Sequence, residues 1–271
     1  MSEAGTQMDQ LKQRMKSTWM AGDFGQIARL NEKSAEEFVG RLGLKPGMRV
    51  LDVACGTGNQ SIPAARIGAT VIGLDIAPNL LDQARARAKA QDLNIKFIEG
   101  DAEELPFPNA EFDAVISMFG AMFAPRPERV ASEFKRVCKT GGLIAMGNWT
   151  PEGFVGKVFA LGAKHVPPPP GVPAPSLWGV ENIVRERFGD GVAFDMNRVN
   201  FKFEFDGSPE KLVDFFRQYF GPTQVAFSKL DAAGQVRYRA DLVQLYTEHN
   251  QGDTAHTITL SEYLQVHARL L

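Results

Sequence analysis

Three carboxylates and a glycine turn are the residues of this chain best placed to do chemistry. The stretch "VLDVACGTGNQSI", Val50 to Ile62, carries Asp52 and then Gly56 and Gly58, in a turn between an apolar strand and a helix. Glycine lets backbone approach a ligand closely, and the following helix aims its free N–H groups at whatever sits there. Those donors favour an anion, an amino-acid carboxylate as well as a phosphate. The dinucleotide fingerprint G-x-G-x-x-G would need a third glycine where Ser61 stands. Asp75 closes the next apolar run, "TVIGLD". A carboxylate there can accept from both hydroxyls of a ribose, in charge-assisted bonds worth about 1.5–3 kcal/mol each. Asp101 follows the third run directly, in "IEGDAEELPF", placed to accept from the exocyclic amine of adenine, and Ala102 beside it leaves space for the ring.

These acids converge only if the runs before them are parallel strands of one sheet, since ligands of open α/β sheets sit at the strands' carboxyl ends. The patterning supplies that arrangement. "RVLDVA", "TVIGLD", "IKFIEG", "FDAVISM" and "GGLIAMGNW" read as buried strands. Helices alternate with them: "NQSIPAARIG", "PNLLDQARARAKAQ" and "RPERVASEFKRVCK". Two helices precede the sheet, Gln7 to Met20 and Phe24 to Leu42. After Thr150 the rhythm stops. The run "HVPPPPGVPAP" can be neither helix interior nor sheet, and the stretch to Gly191 is expected to lack secondary structure of its own. A long strand, "VAFDMNRVNFKFEF", follows. Two helices come next, "SPEKLVDFFRQYF", capped by Ser208, and "SKLDAAGQVRYRADLVQLYTEHN". "SEYLQVHARLL" ends the chain as a last strand. One α/β domain accommodates all of this. It divides into an N-terminal helical cap (1–44), a core (45–149), a lid insertion (150–192) and C-terminal strands and helices (193–271).

Composition narrows the partners. Thirty basic residues face thirty-two acidic ones, so nucleic acid is not expected. The basic run "ARARAKAQ", Ala84 to Gln91, has helical spacing and reads as a solvated helix face. Cys55 and Cys138 are too few for a disulfide framework or a zinc cluster, and Cys138 falls on the apolar side of a helix. His165, His249, His256 and His267 show no metal-ligand spacing, so no metal is expected. No apolar run is long enough to span a bilayer, and the polar N-terminus lacks a signal-peptide core; a soluble, cytoplasmic protein is expected.

Four segments in this order and spacing, "VLDVACGTGNQSI", "GLDIAPNLLDQAR", "GDAEELPFPNAEFDAVIS" and "RVCKTGGLIAMGNW", resemble the class I S-adenosylmethionine-dependent methyltransferases. The nearest flavour is the small-molecule branch with the ubiquinone and menaquinone C-methyltransferases. The resemblance spans about Lys45 to Trp149 and is loose elsewhere. It implies a Rossmann-like, mostly parallel seven-stranded sheet with helices on both faces and the last strand antiparallel. It also implies that S-adenosylmethionine is the cofactor, with backbone groups of Ala54 and Gly56 at its methionine part. Asp75 would take the ribose, Asp101 and Ala102 the adenine, and Ile76 and Met118 would pack on the base and cofactor faces. Asp52 would fix the turn or reach the methionine amine through water, and Gly58 would complete the cradle. Glu103 would border the adenine, unless it and Glu104 are simply a solvated loop.

The acceptor is expected to be a small hydrophobic or aromatic molecule, such as a phenol, amine or quinone precursor. Its site would draw on the N-terminal helices (Trp19, Phe24), the loop after the fourth strand (Phe119, Met122, Phe123), Trp149, Tyr219 and the lid. A core role for the "MFGAMF" stretch competes about evenly with that one. His165, in the segment expected to fold over the pocket, is the candidate base; without it, catalysis rests on proximity. Two alternatives stay open at this level: a Rossmann-type NAD(P)-binding oxidoreductase and a non-catalytic S-adenosylmethionine-binding module. Oligomeric state is not legible from the sequence.

Overall fold

The structure, a computed structural model, describes residues 3–271, so Met1 and Ser2 of the cap lie outside the described residues. The cap comprises α1 (Glu3–Met20), α2 (Phe24–Arg29) and α3 (Glu32–Gly40). The core runs β1 (Arg49–Val53), α4 (Ser61–Arg66), β2 (Thr70–Asp75), α5 (Pro78–Lys89), β3 (Lys96–Glu99) and β4 (Phe112–Met118). It continues through α6 (Pro127–Val137) and β5 (Cys138–Trp149). Then come α7 (Phe154–His165), α8 (Glu181–Phe188), β6 (Val192–Phe205), α9 (Pro209–Tyr219), α10 (Gly221–Ser228), α11 (Ala232–His249) and β7 (Thr257–Leu270).

The seven strands form one sheet in the order β3-β2-β1-β4-β5-β7-β6. β1 to β5 are parallel, and β7 runs antiparallel to both neighbours. The order reverses between β1 and β4, and a crevice opens beyond the carboxyl ends of strands at such a point. The central strands are apolar on both faces because helices cover both: Val50, Leu51, Val115, Ile116, Ile144 and Met146 are fully buried. Each such side chain contributes about 1.5–3 kcal/mol on leaving water. No helix among the described residues is long and apolar enough to cross a membrane.

Several local expectations need correcting. The single helix expected over Phe24 to Leu42 is two, because i→i−3 bonds from Leu30 to Ile27 and from Asn31 to Ala28 tighten the end of α2 and re-aim the chain. The last expected helix starts at Ala232 and not at Ser228, because Asp231 caps it by accepting from Gly234 N–H at 2.7 Å, and α10 forms just before it where the sequence pattern predicts none. Cys138 opens β5 and is not helical. The segment 150–192 is not irregular throughout. Apart from Pro151, its prolines lie between Pro167 and Pro175, and α7, a 3-10 turn opened by Pro175 (Pro175–Gly179) and α8 form around them.

Candidate active site

The glycine turn reverses through three left-handed residues: Ala54 (φ 55°), Gly56 (φ 53°) and Gly58 (φ 84°). At Ala54 the side chain makes this conformation unfavourable by about 1–2 kcal/mol. The reversal brings Gly56 N–H to Asp75 Oδ2 at 2.8 Å, while Ala77 N–H reaches Oδ1, also at 2.8 Å. Asp75 therefore bolts the loop after β1 to the loop after β2, and it is buried. Burial pushes its carboxyl upward, opposed by the Ala77 and Gly56 bonds. Gly58 does not line the cavity. A Cβ there would make only ordinary contacts with Ala84 and Phe97 at 3.4 Å, so it is the left-handed backbone of the turn (φ 84°) that calls for glycine. Arg87 of the basic run is also half-buried. It donates to Thr57 O and Asn59 Oδ1, each at 2.7 Å, and pairs with Glu32, holding the loop from behind instead of facing solvent.

Ser61, where a dinucleotide fold would carry its third glycine, donates its hydroxyl to Asp52 Oδ2 at 2.5 Å, and both residues are buried. Asp52 thus fixes the turn and does not line the cavity, and its Oδ1 has no partner among the described residues. Burial pushes its carboxyl up to about 7, with nearby Asp75 adding and the Ser61 bond opposing. A folded-state value raised this way contributes stability that is complete below the ordinary value of 3.8 and is lost as pH rises towards 7. Within that window the slope approaches about 1.4 kcal/mol per pH unit. Asp52→Asn keeps an acceptor for Ser61 and has nothing to ionise. Its urea midpoint should therefore change less than the wild type's between pH 4 and 7, and should be the higher of the two at pH 7 and above. Parallel pH profiles would show that Asp52 does not titrate in this range.

The first cavity, about 1060 Å³ with its mouth, lies at the sheet's switch point. Ala54, Gly56, Asp75, Ile76, Asp101, Ala102 and Met118 line it, so the structure brings the strand-end residues together. Glu103 does not belong to it. Its side chain is fully buried, accepting from Arg126 N–H at 2.6 Å and Arg126 Nε at 2.7 Å and pairing with Lys12 Nζ at 2.7 Å. It is not a solvated loop residue, and it stands behind the cavity wall without lining it. Lys12, from α1, bridges Glu103 and Asp101 and does line the cavity. Sequence reasoning missed it, because nothing within an amphipathic helix tells which exposed lysine folds back over a distant strand end.

A second cavity of about 980 Å³ adjoins the first, and Trp19, Phe24, Asn31, Phe119 and Phe123 line both. Its other walls include Trp149, Phe154, Val155, Val158, Phe159, Phe216 and Tyr246, and among the described residues no carboxylate, lysine, arginine or histidine lines it. Phe119 is left-handed (φ 57°) and stacks on Trp149 at 3.6 Å with 7° between the rings. Gly120 lets that loop touch the glycine turn, since a Cβ there would lie 2.6 Å from Ala54 O. Two expected wall residues are elsewhere. Met122 points into the core from a 3-10 turn (Ala121–Phe123). Tyr219 packs on Phe215 at 4.9 Å, and its neighbour Phe220 lines the second cavity instead.

His165 lines neither cavity. At the end of α7 its Nε2 lies 2.7 Å from Asp241 Oδ2, and its ring lies 4.8 Å from that of Tyr238, the residue that does reach the second cavity. The helix that replaces the expected irregular segment turns it away. No group of histidine, cysteine or acidic side chains among the described residues could hold a metal ion.

Comparison with known proteins points the same way as the geometry. A methyltransferase-domain family model matches residues 50–142. An uncharacterized protein of Mycobacterium tuberculosis is 42% identical over 215 residues, 78% of each chain. A demethylmenaquinone methyltransferase of Deinococcus radiodurans is 43% identical over 125 residues, 44% of this chain and 52% of its own. The solved structure of the YcgJ protein of Bacillus subtilis shares the fold, with a TM-score of 0.60 at 18% identity over 88% of this chain and 99% of its own.

Proposed function

The chain belongs to the class I S-adenosylmethionine-dependent methyltransferases, and on that premise we propose that the first cavity holds the cofactor and the second a small apolar acceptor. The observation that carries this reading is the shared wall: two compartments of different chemistry meet at Trp19, Phe24, Asn31, Phe119 and Phe123.

The donor set of the first cavity fits the cofactor. Carboxylates stand at the ends of two strands, where a nucleoside presents ribose hydroxyls and a base amine, and the glycine turn leaves room for an amino-acid end. Among the described residues Lys12 is the one cation on its wall, already paired with Asp101 and Glu103, and Ser61 stands where a dinucleotide site would carry its third glycine. In this reading Asp75 takes the ribose, Asp101 and Ala102 the adenine, and Ile76 and Met118 pack against the base and the methionine chain. Ala54 and Gly56 present backbone to the amino-acid part. Bound there, S-adenosylmethionine supplies a methyl group on a positively charged sulfur.

The remaining work falls to this chain's aromatic walls. They exclude water and hold the acceptor atom in line with the S–CH3 bond, a contribution of up to about 7–11 kcal/mol in well-oriented cases. The phenols of Tyr238 and Tyr246, both on the second wall, are pushed up by burial and stay protonated at neutral pH. With no base among the described residues lining the second cavity, the acceptor is one whose reacting atom needs no proton removed by the protein. A phenol ionised in solution, an amine or an electron-rich quinol carbon meets that condition. Phe154, Val155, Val158 and Phe159 of α7 serve as the lid over this compartment, within one domain whose cap is α1 to α3. The likeness to the Deinococcus enzyme lies over part of the chain and supports the cofactor half; the aromatic lining supports the acceptor half.

Thermal denaturation tests the cofactor half. S-adenosylhomocysteine at about 100 times its dissociation constant should stabilise the protein by about 2.7 kcal/mol through mass action. NADH at equal concentration should leave the midpoint unchanged, and a larger shift with NADH would reverse the assignment.

A further inference from the structure

Five side chains belong to both cavities; four are aromatic, and the fifth is Asn31. Asn31 stands immediately before α3, where an asparagine side chain ordinarily accepts from a free N–H of the first turn. Here it makes no capping bond. Its backbone is near-helical (φ −109°, ψ 0°), and its own N–H is spent on Ala28 O at 3.0 Å. The carboxamide, with one acceptor oxygen and two N–H donors, is left at the doorway between the compartments. The hydroxyl groups of the second cavity, on Thr223, Tyr238, Tyr246, Thr259 and Ser261, do not line the first, and Trp19, which lines both, offers an indole N–H donor but no acceptor. Among the described residues no other amide or hydroxyl side chain stands where a methyl group would cross.

We propose that Asn31 positions the acceptor by hydrogen-bonding a polar atom at its reacting end. The substrate class is then an uncharged aromatic or polycyclic body carrying a hydroxyl or carbonyl oxygen at that end. The aromatic walls hold the body through its faces and edges, which fixes its plane but leaves it free to slide or turn end for end. One directional contact at the doorway removes that freedom. Because Asn31 caps nothing, its replacement removes no bond that the fold uses. The proposal rests on the reading that the second cavity takes the acceptor.

The test uses naphthol and naphthalene as probes, titrated into the full-length protein saturated with S-adenosylhomocysteine and followed by quenching of Trp19 and Trp149. Asn31→Leu preserves volume, and Asn31→Ala removes the side chain. In both variants the affinity for naphthol relative to naphthalene should fall by about three- to tenfold, the range of one neutral hydrogen bond. Naphthalene binding itself should persist. An unchanged ratio in both variants would overturn the proposal while leaving the acceptor cavity intact. Loss of S-adenosylhomocysteine affinity with an unchanged ratio would give Asn31 to the cofactor and overturn it as well. Failure of both probes to bind the wild type would sink the acceptor reading, and the proposal with it.

Discussion

Asp75→Ala should weaken S-adenosylhomocysteine binding by about a hundredfold and lower stability at the same time. On the ligand side, losing charge-assisted bonds to the ribose removes about 1.5–3 kcal/mol for each bond. That corresponds to roughly tenfold to a hundredfold in affinity from a single bond. On the protein side, the carboxylate is the acceptor for Gly56 N–H and Ala77 N–H, so its removal leaves a donor unpaired in each of the two loops it joins. Each unpaired buried donor costs about 1–3 kcal/mol, and water entering from the cavity recovers part of it. A net loss of about 2–4 kcal/mol is expected in urea denaturation. Seen from the sequence alone, Asp75 is a crevice residue whose removal leaves the fold untouched; its burial and its two backbone bonds revise that. Calorimetry showing unchanged affinity in a folded variant would mean that Asp75 does not hold the ribose.

Glu103→Ala should destabilise the protein by about 2–4 kcal/mol. The side chain is fully buried and joins three elements: the loop after β3, Arg126 at the start of α6, and Lys12 of α1. Truncating Glu103 leaves Arg126 N–H without its acceptor and two cations without their partner, and because Lys12 is 16% and Arg126 38% exposed, solvent recovers part of the penalty of a broken buried pair. Glu103→Gln keeps an acceptor for Arg126 N–H and should fall between the two. Because Lys12 would then answer to Asp101 alone, the position of α1 over the cavity should also loosen, read as faster protease cleavage within α1. A urea midpoint for Glu103→Ala within error of the wild type would place Glu103 among exposed pairs, contrary to its burial.

What was legible in the sequence is what local periodicity decides. Asp75 and Asp101 fall at strand ends because apolar runs show where strands stop, and parallel strands bring those ends together. Ser61 in place of a third glycine separated the turn from the dinucleotide type, and the turn proves to be tied to β1 through Asp52. Contacts made between distant segments were not legible. Lys12 reaches across 89 positions to Asp101. Arg87 sits in a run that looks like a solvated face, yet it holds the glycine turn 30 positions upstream. Small rotations defeated other expectations: a 3-10 turn sends Met122 inward and Phe123 outward, and the end of α9 exchanges Tyr219 for Phe220. His165 was misplaced because the prolines after it hid a helix before it. Asn31 carried no signal at all, since an asparagine before a helix reads as an ordinary cap.

The crystal structure of the complex with S-adenosylhomocysteine tests the central claim most directly. The two-compartment arrangement predicts ribose hydroxyls on Asp75, the adenine beside Asp101 and Ala102, and the sulfur facing the doorway of Asn31 and Phe119, with the aromatic compartment free of cofactor. Adenine lodged among Trp149, Phe154 and Phe216, or a sulfur directed away from the shared wall, would contradict it.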